Sequence, residues 1–156
     1  MNIFIFHNDL RLVDNIGLKA CLELPTIPIF VFTPQQIGKS NPYRSQNAIN
    51  FMCDSLKELN DELVEHKSKL HMFNGKTHTI VERLIKSHNV IGVYSNMNYT
   101  PFAIERDKKI KKVCDKHKIP FNEYEDYGLF PIGSITTSGG VYKKFTPYYE
   151  AALKHK

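Results

Sequence analysis

Short apolar, β-branched runs alternate along this chain with stretches whose apolar positions recur at steps of three and four. That alternation predicts successive β-α units around a parallel sheet. Ile3–Phe6 reads as a first strand. A polar turn, Leu10–Asn15, follows it, and Asp14 or Asn15 caps a short helix to about Leu22. Ile27–Phe32 is a second strand entered between Pro25 and Pro28, and Thr33–Tyr43 is a loop punctuated by Pro34, Gly38 and Pro42. Ser45 or Asn47 then opens the clearest helix. Its residues Ile49, Met52, Leu56, Leu59 and Leu63 form one apolar stripe. Leu70–Phe73 is a third strand, Ile80, Val81, Leu84 and Ile85 mark a helix, and Val90–Tyr94 is a buried fourth strand. A helix from about Ala103 to His117 turns Ile110, Val113 and Cys114 inward, and Pro120–Tyr124 completes five strands. After Tyr127 the periodicity ends among Gly128, Pro131, Gly133, Gly139, Gly140 and Pro147.

The expected fold is therefore α/β: a Rossmann-like, doubly wound, five-stranded parallel sheet with helices on both faces. Ligands of such sheets bind outside the carboxyl ends of the strands, where strand order reverses. Here that point lies between the first and fourth strands. It places the segment from His7 to Arg11 beside the segment from Ser95 to Tyr99, with Arg11 supplying a cation.

Composition narrows the classes further. At 156 residues, with 42% hydrophobic and 24% charged, the chain has the size and balance of one globular domain. No apolar run reaches the ~18 residues of a membrane helix, and Met1–Phe6 lacks the basic region and cleavage site of a signal peptide. Three widely spaced cysteines, Cys21, Cys53 and Cys114, fit neither a disulfide framework nor a zinc cluster. The expectation is a protein of the cell interior, cytoplasmic or nuclear, that is not secreted and makes no membrane contact.

Several motifs fail on inspection. Gly75-Lys76-Thr77 resembles the end of a phosphate loop, but Leu70 holds the position where that loop needs its first glycine, so a simple turn is the reading. No glycine-rich turn follows the first strand, and Ser138-Gly139-Gly140 reads as a plain hairpin or loop. No residues are spaced to bind a metal, and no Ser, Cys or Thr is marked as a nucleophile, so neither metal nor catalytic residues are assigned. The net charge of +5 centres on Lys108, Lys109, Lys111 and Lys112, continued by Lys116 and Lys118. These read first as the solvated face of a helix and second as a nucleic-acid surface.

Four ordered segments carry a more specific signal: Phe6–Asn15, Pro28–Gln36, Tyr94–Asp107 and Tyr142–Tyr149. Together they resemble the N-terminal α/β domain of the DNA photolyase/cryptochrome family. The likeness implies a domain over 1–130 that can hold an antenna chromophore. It also implies a tail, 131–156, that looks like the start of the link to an FAD-binding helical domain absent from this chain. The implied role is light harvesting in the light-driven repair of pyrimidine dimers. The chain would then be a fragment of a deoxyribodipyrimidine photolyase-type lyase, not catalytic by itself. Its implied partner is a separately encoded FAD-binding domain, with DNA reached only through that partner.

By the same resemblance, the antenna contacts fall on Asp9, Arg11, Phe32, Thr33, Pro34, Asn98, Tyr99, Pro101 and Phe102. Asn98 stands where family members often have Asp, and the folate-binding Asn-Glu pattern is missing near Phe102-Ala103. A deazaflavin or flavin therefore fits better than folate. The alternatives are a stand-alone module of Rossmann type binding a small molecule or nucleotide, and a non-functional remnant of a photolyase gene.

Overall fold

A computed structural model describes residues 1–155. Five parallel strands form one sheet in the order β3-β2-β1-β4-β5. They are β1 (Asn2–Phe6), β2 (Thr26–Phe32), β3 (His71–Asn74), β4 (Gly92–Asn96) and β5 (Phe121–Tyr124). The reversal expected between the first and fourth strands is present, because β1 pairs with both β2 and β4. The connecting helices are α1 (Ile16–Cys21), the one-turn α2 (Pro34–Ile37), α3 (Gln46–Glu65), α4 (Thr77–Ser87) and α5 (Pro101–Lys116). The described helices include none long and apolar enough to cross a membrane.

Strand alternation divides the core into two layers. Ile3, Ile5, Ile29, Val31 and Val93 pack with Ile80, Val81 and Leu84 of α4 and with Ile110 and Cys114 of α5. On the other face Phe4, Phe6 and Phe30 pack with Leu18 and Cys21 of α1 and Leu56, Leu59 and Leu63 of α3. The stripe predicted on α3 thus buries its last three leucines, with Met52 at the margin. Asn15 caps α1 by accepting from the Leu18 N–H, and Ser45 caps α3 by accepting from Ala48.

Pro28 lies inside β2 rather than at its start, opposite Phe4. The strand tolerates it for a geometric reason. The Pro25 carbonyl accepts from Asn2 beside β1, whereas the Phe32 carbonyl accepts from Gly75 beyond β3. Odd-numbered peptide groups of β2 therefore face β1 and even-numbered ones face away. The nitrogen of Pro28 takes nothing from the β1–β2 ladder.

The sheet unit runs from Met1 to Asp126, and a second compact unit begins at Tyr127. The boundary falls before 130, and the tail is not irregular throughout. It carries α6 (Phe145–Lys154), a ten-residue helix in which Phe145 stacks on Tyr149 at 5.8 Å. Pro147 is compatible with that helix because it occupies the first turn, where backbone N–H groups have no partner within the helix. Thr137 and Gly140 exchange backbone hydrogen bonds of 2.7 and 3.1 Å, so Ser138-Gly139 is a tight turn. Lys156, the last residue of the expected tail, lies outside the described residues.

Candidate functional site

The strand-order reversal is built around Asn96, the last residue of β4. Its Nδ2 donates to Asp9 Oδ2 at 2.7 Å, Asn15 Oδ1 at 2.8 Å and Asp126 Oδ2 at 3.1 Å. Its Oδ1 accepts from the Gly17 N–H at 3.0 Å. Only glycine fits at position 17, since an added Cβ would collide with that same amide oxygen. Asp9 Oδ1 accepts from the His7 N–H at 2.8 Å. Burial pushes the Asp9 carboxyl above its ordinary pKa, with the Asp126 charge adding to the rise. The hydrogen bonds from His7 and Asn96 hold it partly down.

Arg11 belongs to the same cluster. Its Nη2 donates to Asp126 Oδ2 and to the Asp14 carbonyl, each at 2.7 Å. The cation expected to face a ligand is therefore matched by a carboxylate whose side chain is only 4% exposed. Asn98 donates to Asn8 at 3.4 Å and accepts from the Thr100 N–H, and the Tyr99 hydroxyl donates to Glu125 at 2.9 Å. Phe32 packs edge-on against Phe30 in the phenylalanine-rich layer, and Pro34 is the first residue of α2.

One open space lies a step along the carboxyl edge, over the face covered by α4 and α5, and a smaller one of about 330 Å³ is lined by Asn8, Leu10 and Arg11 with residues of α3. A cavity of about 600 Å³ is bounded by Thr33 and Gln35 after β2 and by Lys76, Thr77 and His78 at the start of α4. Pro101, Phe102, Glu105, Arg106 and Lys109 of α5 close it. Of the nine residues expected from sequence, Thr33, Pro101 and Phe102 line this cavity. Asp9, Arg11, Phe32, Pro34, Asn98 and Tyr99 lie outside its lining.

Its chemistry is mixed. Phe102 and Pro101 give an apolar wall. Arg106 donates from Nε and Nη2 to both oxygens of Asp107, at 2.7 and 2.9 Å, in a pair that is almost fully buried. In the sheet, His7 continues the face of Ile3 and Ile5, and Ser95 continues the face of Val93. His7 Nε2 and Ser95 Oγ are buried and have no hydrogen-bond partner among the described residues, and neither residue lines the cavity. Burial holds the His7 imidazole well below its ordinary pKa, and the Arg106 charge lowers it further, so the ring is neutral. Such orphaned polar atoms are unusual in a folded interior. The mixed lining of the cavity suits a ligand with polar edges and a flat apolar body, and 600 Å³ lies within the ~300–1,000 Å³ typical of ligand pockets.

Sequence reasoning missed Lys76, Thr77, Arg106 and Lys109 as cavity residues. The available signal was the Gly75-Lys76-Thr77 turn, which brings α4 to the carboxyl edge. Asn96 and Asp126 left no local signal, because their meeting depends on the β4–β5 pairing.

Comparison with known proteins gives a consistent result. The chain is 29% identical to the deoxyribodipyrimidine photo-lyase of Buchnera aphidicola subsp. Baizongia pistaciae, over 99% of this chain and 34% of that protein. It is 28% identical to cryptochrome-1 of Macaca fascicularis, over 90% of this chain and 25% of that protein. An archaeal photolyase from Sulfolobus tokodaii superposes with a TM-score of 0.87 at 43% identity, over 99% of this chain and 35% of that one. That structure holds two FAD molecules and implicates a novel light-harvesting cofactor. The chain spans between a quarter and about a third of the length of these relatives. With the DNA photolyase family model matching residues 2–156, the chain belongs to the DNA photolyase family.

Proposed function

We propose that this chain is a light-harvesting domain whose cavity between β2, α4 and α5 holds a flavin or deazaflavin antenna. The observation that carries the reading is the cavity itself: apolar at Phe102 and Pro101, polar at Thr33 and Arg106. A bound flavin would supply absorption in the near-ultraviolet and blue and pass excitation to FAD on a separate helical polypeptide, for repair of pyrimidine dimers.

The chain's own residues would position that ring. Phe102 and Pro101 provide a surface for its face. The Thr33 N–H and hydroxyl both donate to Gln36 Oε1, at 3.1 and 2.9 Å, which fixes the rim of the β2 loop. The Arg106–Asp107 pair keeps a charged group in place without leaving an uncompensated cation in the wall. The neutral His7 ring brings no buried charge near the chromophore.

The test is spectroscopic. Protein purified from a host that makes both flavin and deazaflavin is expected to carry visible absorption. Phe102→Ala is expected to weaken binding of added flavin about tenfold, an aromatic contact of about 1.5 kcal/mol. Addition of an FAD-loaded helical photolyase domain is expected to quench the antenna's emission. A colourless protein that takes up an adenine nucleotide but no flavin would overturn the photochemical reading.

A further inference from the structure

The positive charge of the chain gathers on the layer that α4 and α5 form. Residues 76–118 hold ten Lys and Arg against four Asp and Glu, a surplus of six, whereas the whole chain carries +5. The rest of the chain is therefore close to neutral. α5 concentrates the surplus. Its residues Ala103, Asp107, Ile110 and Cys114 are buried, and Ile110 and Cys114 join the core beneath the sheet. At 3.6 residues per turn, Lys108, Lys109, Lys112 and Lys116 fall within about 100° of one another on the opposite, exposed side.

Two ordinary explanations account for only part of this face. The helix dipole favours lysine in the last turn, and Lys108 and Lys112 stand before it. Neighbouring acids neutralise some of the others. Glu105 pairs with Lys109 at 3.2 Å, Asp115 with Lys111 at 3.6 Å, and Glu82 of α4 with Lys86 and Lys116 at 3.3 and 2.8 Å. That engages every acid of the segment, because Asp107 is buried against Arg106. Lys108, Lys112 and Lys118 are left without an ion pair among the described residues.

The same stretch is bare of apolar anchors: between Glu105 and Lys118 no large hydrophobic side chain is exposed. Protein interfaces bury such anchors at their centre, and amphipathic membrane helices insert them into lipid. Platforms for single strands stack bases on aromatic rings, and this face has none. What fits lysines alone is a regular row of anions, as in the phosphate backbone of a duplex.

We infer that the outer face of α5, through Lys108, Lys112 and Lys118, binds the phosphate backbone of double-stranded nucleic acid without regard to sequence. The contact is direct and belongs to the sheet unit itself. It requires no helical partner domain, no damaged base and no bound chromophore, so it stands apart from the reading of the cavity.

The experiment titrates the purified full chain, without flavin, into a fluorescent undamaged DNA duplex of about 20 base pairs and follows anisotropy from 50 to 200 mM salt. Three phosphate contacts give log Kobs a slope of about −2.7 against log salt, so affinity is expected to fall roughly fortyfold over that range. A duplex of scrambled sequence is expected to bind equally well, and a single strand no more tightly. Lys108→Ala combined with Lys112→Ala is expected to make the slope shallower by about two. Lys39→Ala combined with Lys57→Ala removes the same charge from exposed positions elsewhere and is expected to leave the slope as it was. Equal losses in the two double variants would overturn the assignment to α5 and reduce the effect to net charge. Tighter binding of the single strand would overturn the choice of a duplex. No duplex binding at 50 mM salt, or capture by phosphatidylserine vesicles in its place, would overturn the proposal.

Discussion

Replacing Asn96 with Asp changes one donor into an acceptor at the centre of the buried network. The new carboxylate keeps the shape of the amide, and its Oδ1 still accepts from Gly17. Its second oxygen, however, faces Asp9 Oδ2, Asn15 Oδ1 and Asp126 Oδ2, which lie 2.7, 2.8 and 3.1 Å from the present nitrogen. Three hydrogen bonds disappear and three carboxylates crowd together. Two unit charges ~4 Å apart at an effective dielectric constant of ~20 repel by ~4 kcal/mol. Arg11 offsets part of this through Asp126, and uptake of a proton limits the rest. The expected loss at pH 7 is about 3 kcal/mol, or a fall in Tm of roughly 6–12 °C for a chain of this size. Such a cluster raises the folded-state pKa of its carboxyls, so between the unfolded value of ~4 and the raised folded value the native state binds more protons than the unfolded one. The destabilisation is therefore present above the folded pKa and recedes as pH falls through it. Urea unfolding followed by far-ultraviolet circular dichroism, the natural probe for a chain without Trp, measures this at pH 7 and pH 5. Asn96→Ala serves as the control that loses the hydrogen bonds without adding charge. An Asp variant within ~0.5 kcal/mol of wild type at pH 7, or one equally destabilised at both pH values, would refute the reasoning.

Two further predictions use other buried groups. His7 is expected to stay neutral as pH falls below 6.5, because its folded pKa lies well under that of the unfolded chain. It therefore costs the fold stability on acidification, and an imidazole proton resonance shifting at pH 6–7 would contradict this. Cys53 is exposed, whereas burial raises the thiols of Cys21 and Cys114 to about 11 and about 12. A chromogenic disulfide reagent at pH 8 is expected to titrate one thiol promptly and the other two only in denaturant, and prompt reaction of all three would refute the burial.

The sheet was legible because its signals are local. A run such as Ile3–Phe6 is apolar on both sides and buried on both faces, and Asn15 and Ser45 stand where caps belong. The reversal at β1 and β4 follows from right-handed crossovers once five strands are counted. The candidate cavity was legible only as a region. Thr33, Pro101 and Phe102 at its rim follow from where β2 and β4 end, whereas the six other expected residues lie outside its lining. The pairing of Arg11 with Asp126 joins residues 115 positions apart, beyond the reach of any periodicity. The α6 helix was hidden by Pro147, which reads as a breaker until its place in the first turn is known.

Pro28 has a consequence where β3 stops short. β3 meets β2 only from Ile29 onward, opposite His71, so the first residues of β2 have no strand on that side. Position 28 is nonetheless buried, and a residue with a backbone N–H there would carry a donor with no ladder to receive it. Proline has no such donor, so the ladder can end at that point without stranding a polar group in the interior.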